Sequence, residues 1–127
     1  MRSILDTSVL LGPNPGEIQG EIAISTVSLA ELHFGVLVAR SGQIRATRLR
    51  RLATIEQTFP ALVIDATVAR EYGRLAAAVV AAGRKPRTRS LDLLIAATAS
   101  ANDARLYTRN PSDLVGLEDL LEIVSIS

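Results

Sequence analysis

The 127-residue sequence predicts an α/β fold in which helices cover both faces of a parallel sheet. Two observations carry this expectation. Apolar segments of strand length, at 3–5, 22–24, 61–64, 105–108 and 121–126, alternate with longer segments of helical period. In addition, residues 90–102, SLDLLIAATASAN, are helix-compatible and apolar on nearly every side, the pattern of a helix packed inside a domain. Such a helix should carry no charge, yet Asp92 lies in its first turn as the only ionisable side chain of the segment. An unpaired buried carboxylate is costly or is forced to protonate. Either Asp92 complements the positive end of the helix while Ser90 caps it, or it points into a shared acidic pocket and binds a metal ion.

Taken in order, residues 3–5 read as a buried strand ending at Asp6, after which Thr7 can cap a short helix stopped by Gly12 and Pro13. Residues 14–20 form a loop before the second strand. A helix beginning near Ser28 shows a stripe of Ala30, Phe34, Leu37 and Val38 toward the core and ends at Ser41 and Gly42. Residues 44–59 are amphipathic, with Leu49, Leu52, Ile55 and Phe59 on one side and arginines on the rest. Pro60 stops that helix, and the strand at 61–64 follows. The long helix over 66–82 turns Val68, Tyr72, Leu75, Val79 and Ala82 inward, and Gly83 terminates it. A basic loop at 84–89 leads to the apolar helix, then to the strand at 105–108. Asn110 and Pro111 make a turn, 116–120 can form one helical turn, and 121–126 is a last strand rich in branched residues.

The length fits one domain over 1–127, and the longest apolar run, 75–82, is too short to span a bilayer. Asp6 interrupts the N-terminal stretch before a signal-peptide core could form, and cysteine is absent, so a cytoplasmic location without membrane association is expected. Net charge is only +1, but thirteen of the fourteen basic residues are Arg. Nine of the fourteen fall in two runs, Arg40, Arg45, Arg48, Arg50 and Arg51, then Arg84, Lys85, Arg87 and Arg89. These runs are solvated faces or phosphate-binding patches. With Phe34, Phe59, Tyr72 and Tyr107 the only aromatic residues, there is little on which bases could stack. A nucleic acid would be held by its backbone.

In parallel sheets, functional groups gather beyond the carboxyl ends of the strands, where strand order reverses. Asp6 follows the first strand, Glu31 lies one turn into the helix after the second, Asp92 opens the apolar helix, and Asp113 lies just beyond the fourth strand. Each has an ordinary alternative: Asp6 as a loop acid or cap, Glu31 in a capping box with Ser28, Asp113 in the first turn of a short helix. Independent caps have no reason to share one sheet edge. A hard divalent cation held by carboxylates, activating water for phosphodiester hydrolysis, explains all four together. No protein nucleophile is needed, and the lone His33 sits with no acid or serine at triad spacing, so it reads as a surface or satisfied residue.

Four segments in order, LDTSVL at 5–10, SLAEL at 28–32 with Gly35 after it, DLLIAATA at 92–99 and TRNPSD at 108–113, resemble the PIN domains, most closely the VapC-type ribonuclease toxins of bacterial toxin–antitoxin pairs. The resemblance spans the chain. It implies a three-layer α/β/α sandwich with a five-stranded parallel sheet, and RNA cleavage dependent on Mg²⁺ or Mn²⁺. It also implies homodimers and inhibition by a VapB-like antitoxin. Asp6, Glu31, Asp92 and Asp113 are then the metal-binding acids, while Thr7, Thr108 and Asn110 either orient them or simply form turns. Arg84, Lys85, Arg87 and Arg89 adjoin the site in sequence and are candidates for RNA phosphate contacts; the 40–51 arginines could serve RNA or antitoxin. Ser8 and Leu114 depart from the family pattern, which usually has Asn and Phe there. Three rivals are a receiver domain, a DNA nuclease of the same fold, and a non-catalytic RNA- or protein-binding module. The receiver chemistry wants a lysine after the last strand, and the only lysine is Lys85.

Overall fold

The computed structural model describes residues Met1–Ser127. Its strands are β1 (Arg2–Leu5), β2 (Glu21–Ser25), β3 (Ala61–Leu62), β4 (Arg105–Thr108) and β5 (Ile123–Ser125), all parallel, in the order β3-β2-β1-β4-β5. The helices are α1 (Thr7–Leu11), α2 (Thr26–Leu37), α3 (Gly42–Thr58), α4 (Ala66–Ala81) and α5 (Ser90–Ala101).

Successive residues of a strand face opposite sides of a sheet, and that alternation divides the core in two. Ile4, Ala23 and Leu106 pack with Val68, Leu75 and Val79 of α4 and with Leu93 and Ile95 of α5. Their neighbours Leu5 and Ile24 pack on the other face with Val9 of α1, Leu32 and Val36 of α2, and Leu52 and Ile55 of α3. The three layers and five parallel strands expected above are present. From central β1 the chain winds outward through β2 and β3, then crosses by α4 and α5 to β4 on the opposite side of β1. The winding direction therefore reverses between β1 and β4, and the crevice beyond their carboxyl ends is where such sheets carry ligands.

The inner helix matches its sequence pattern: Leu93 and every residue from Ile95 to Ala99 are buried. Its one buried hydroxyl is satisfied, Thr98 Oγ1 donating to Leu94 O at 2.8 Å and lying 3.2 Å from Ser25 Oγ. The start of this helix differs from expectation. A 3₁₀ turn, Pro86–Arg89, runs directly into it, so Arg89 holds the cap position and Ser90 lies inside the helix, donating to Arg87 O at 3.2 Å.

Helix α2 begins at Thr26, capped by Ser25, whose Oγ accepts from Val27 N at 3.1 Å, rather than near Ser28. Its buried face is Val27, Ser28, Leu32 and Val36, and the expected stripe is turned outward, with Phe34 65% and Leu37 74% exposed. The helix carries two apolar stripes, and periodicity gives no rule for which one meets the sheet. In α3, Leu52 and Ile55 are buried as expected while Leu49 is exposed. β3 stops at Leu62 because β2, its ladder partner, ends at Ser25 where α2 begins; Val63 and Ile64 are left exposed. Residues 116–120 form turns, not a helix, and β5 spans only the middle of the expected strand.

Candidate active site

Asp6 follows β1 and, in place of Thr7, caps α1: its Oδ1 accepts from Val9 N at 3.2 Å and from the Ser8 hydroxyl at 2.5 Å. Glu31, one turn into α2, accepts from Thr7 Oγ1 at 2.7 Å, and Thr7 Oγ1 also lies 2.9 Å from Ser28 Oγ. The capping box is thereby excluded, since Ser28 lies within the helix and fully buried, bonded to Thr7. Asp113 sits in a 3₁₀ turn, Pro111–Leu114, just past β4 and is paired with Arg89, Nη2 to Oδ1 at 3.1 Å. Asp92 is in the first turn of α5, and no side-chain hydrogen bond reaches it.

Asp6, Asp92 and Asp113 line one cavity of about 30 Å³ at the β1–β4 crevice, with Ser8, Thr108 and Asn110. Glu31 lies just outside it, on the wall of a larger groove. Its charge is nevertheless felt inside. The Asp92 carboxyl is raised above its ordinary pKa first by burial, then by the negative charges of Asp113, Glu31 and Asp6, with Arg89 opposing. Asp6, Glu31 and Asp113 are thus each within electrostatic reach of Asp92.

No three of them converge on a point as a closed ligand shell does. Asp6, Glu31 and Asp113 each engage a protein partner through one oxygen only, Oδ1, Oε1 and Oδ1 respectively. The second oxygen of each, and both of Asp92, are left for another ligand. An all-oxygen donor set in which three carboxylates repel a fourth suits a hard divalent cation.

The remaining expected residues divide. Thr7 does hold an acid. Thr108 instead builds the turn, its Oγ1 accepting from Asn110 N at 3.0 Å, and the Asn110 carbonyl accepts from Asp113 N at 3.0 Å. Arg84 crosses to the same turn, Nη1 donating to Ser112 O at 3.3 Å, so the basic loop adjoins the acids in space as well as in sequence. Lys85 and Arg87 are exposed beside it. In the other arginine run, Arg48 donates to Gly35 O at 2.6 Å and Arg51 to Leu11 O at 3.0 Å, fastening α3 to α2 and α1. His33 is on the surface, 3.4 Å from Glu56. Sequence reasoning missed the Arg89–Asp113 pair and gave Ser8 no contact.

The PIN domain model matches residues 3–112, and the chain belongs to the PIN-domain family. Within that family its relatives include VapC proteins. It is 35% identical to "Ribonuclease VapC4" of Mycobacterium tuberculosis, covering 98% of this chain and 97% of that protein. To "Ribonuclease VapC5" of the same organism it is also 35% identical, over 84% of this chain and 82% of the other. The crystal structure of VapBC-5 from M. tuberculosis contains a chain that superposes with a TM-score of 0.87 at 33% identity, covering 98% of each chain. FitAcB from Neisseria gonorrhoeae shares the fold, with a TM-score of 0.80 at 23% identity over 97% of this chain and 96% of that one.

Proposed function

We propose that this chain is an endoribonuclease dependent on Mg²⁺ or Mn²⁺, the toxin component of a type II toxin–antitoxin pair. The observation that carries the reading is the placing of Asp92 in a crevice with other acids, its carboxyl raised first by burial and then by the negative charges of Asp113, Glu31 and Asp6. Repulsion of that kind is relieved by a cation. Asp6, Glu31, Asp92 and Asp113 would hold it through their free oxygens. A bound divalent cation supplies an activated water and offsets charge on a phosphodiester. Arg84, Lys85, Arg87 and Arg89 border the same edge and would hold the RNA backbone. The names of the VapC relatives support RNA as substrate.

The VapBC complexes among its structural neighbours support a VapB-like antitoxin as partner. A largely apolar groove of about 670 Å³, lined by Leu11, Glu31, Phe34, Arg48 and Arg51 among others, would receive it. Family resemblance also supports a homodimer. Purified protein should cleave RNA and spare DNA in Mg²⁺ or Mn²⁺, lose cleavage in excess chelator, and be silenced when co-purified with a VapB-like antitoxin. RNA cleavage persisting in chelator removes the metal-dependent reading, and equal cleavage of DNA removes the substrate assignment.

A further inference from the structure

We propose that Ser8 is a positioning residue that orients Asp6 for cation binding, as the middle of a relay from the β4 end to the carboxylate; this rests on the metal site proposed above. The backbone N–H of Arg109, immediately after β4, donates to Ser8 Oγ at 3.0 Å, and the Ser8 hydroxyl donates onward to Asp6 Oδ1 at 2.5 Å. A hydroxyl can accept and donate at once, which is what this place requires. Val9 N donates to the same Oδ1, so both bonds to Asp6 fall on one oxygen and Oδ2 is left without a protein partner. The side chain is fixed by one edge and presents the other.

The donor end of the relay is itself held. The Arg109 guanidinium donates to Pro13 O from Nη2 and to Ser127 O from Nη1, both at 2.6 Å, tying the loop after α1 to the C-terminal residue. The relay therefore joins the two strands that flank the crevice, β1 and β4. Groups that orient metal-binding side chains are worth about 10- to 100-fold in metal affinity.

Calorimetric titration of Mn²⁺ into RNA-free wild type, Ser8→Ala and Ser8→Thr tests the relay, with melting in chelator run alongside. The Ala variant should bind Mn²⁺ about 10-fold more weakly or worse, and the Thr variant, which keeps the hydroxyl, should bind close to wild type. A role confined to holding the fold would lower the melting temperature of Ser8→Ala and leave Mn²⁺ affinity unchanged, which overturns the proposal. So does a Thr variant as weak as Ala. Wild type that fails to bind Mn²⁺ overturns the metal site and the relay together, whereas wild-type binding matched by Ser8→Ala overturns the relay alone.

Discussion

Asp92 ties the stability of the domain to its site. Because burial and three neighbouring carboxylates raise its folded-state pKa, the folded chain keeps this proton to higher pH than the unfolded chain does. Its contribution is fully favourable below the unfolded value and is lost as pH rises through the folded one. Metal-free wild type should therefore lose stability over that window, and Asp92→Asn, which removes the charge at nearly constant shape, should flatten the loss. In chelator near neutral pH the variant should melt a few degrees higher than wild type, and in Mg²⁺ its RNA cleavage should fall by about 100-fold or more. Thermal melts across pH check this. A variant that melts lower in chelator would instead mark Asp92 as a simple partner of the helix end, which forfeits about 0.3–1 kcal/mol when its charge is removed.

The connections between elements carry two further expectations. Gly20 has φ +88° and enters β2 against the first residue of the chain, where a Cβ would collide with the Met1 carbonyl oxygen. Gly20→Ala should cost about 1–3 kcal/mol in chemical denaturation. Arg89 joins the turn before α5 to the turn after β4 through Asp113, but the pair is partly exposed, so Arg89→Gln should lower stability by only about 0–1 kcal/mol. Its larger effect is expected in a Mn²⁺ titration, as tighter binding once a competing cation has left Asp113. Unchanged or weaker binding would show that the pair does not oppose the metal. Element order and the buried α5 were readable because a largely apolar, twelve-residue segment of helix-compatible residues with no Gly or Pro permits little else. The facing of α2 was not, since Val27, Leu32 and Val36 compete with Phe34 and Leu37 on the same helix.

Across the molecule, a near-neutral sum conceals an acidic crevice bordered by a basic loop. Replacing Arg84, Lys85 and Arg87 with Gln should weaken RNA binding and lower its log-log salt slope by about 0.7 for each phosphate that is no longer neutralised. A binding series over salt concentration reads both, and an unchanged slope assigns the loop elsewhere. Asp6, Glu31 and Asp113 were legible from sequence because each comes after the carboxyl end of a strand, and Asp92 because it is the one charge in an apolar helix. The groups that hold them were less so: the donor to Ser8 is the backbone of Arg109, 101 residues away, and only the pairing of β1 with β4 brings the two together. Whether the four carboxylates act as one site is tested most directly by titrating Mn²⁺ into wild type and into Asp6→Asn, Glu31→Gln, Asp92→Asn and Asp113→Asn. Wild type should saturate, and each replacement should weaken binding by about 10-fold or more. A wild type that takes up no Mn²⁺, or four variants that bind it as wild type does, would contradict a shared metal site.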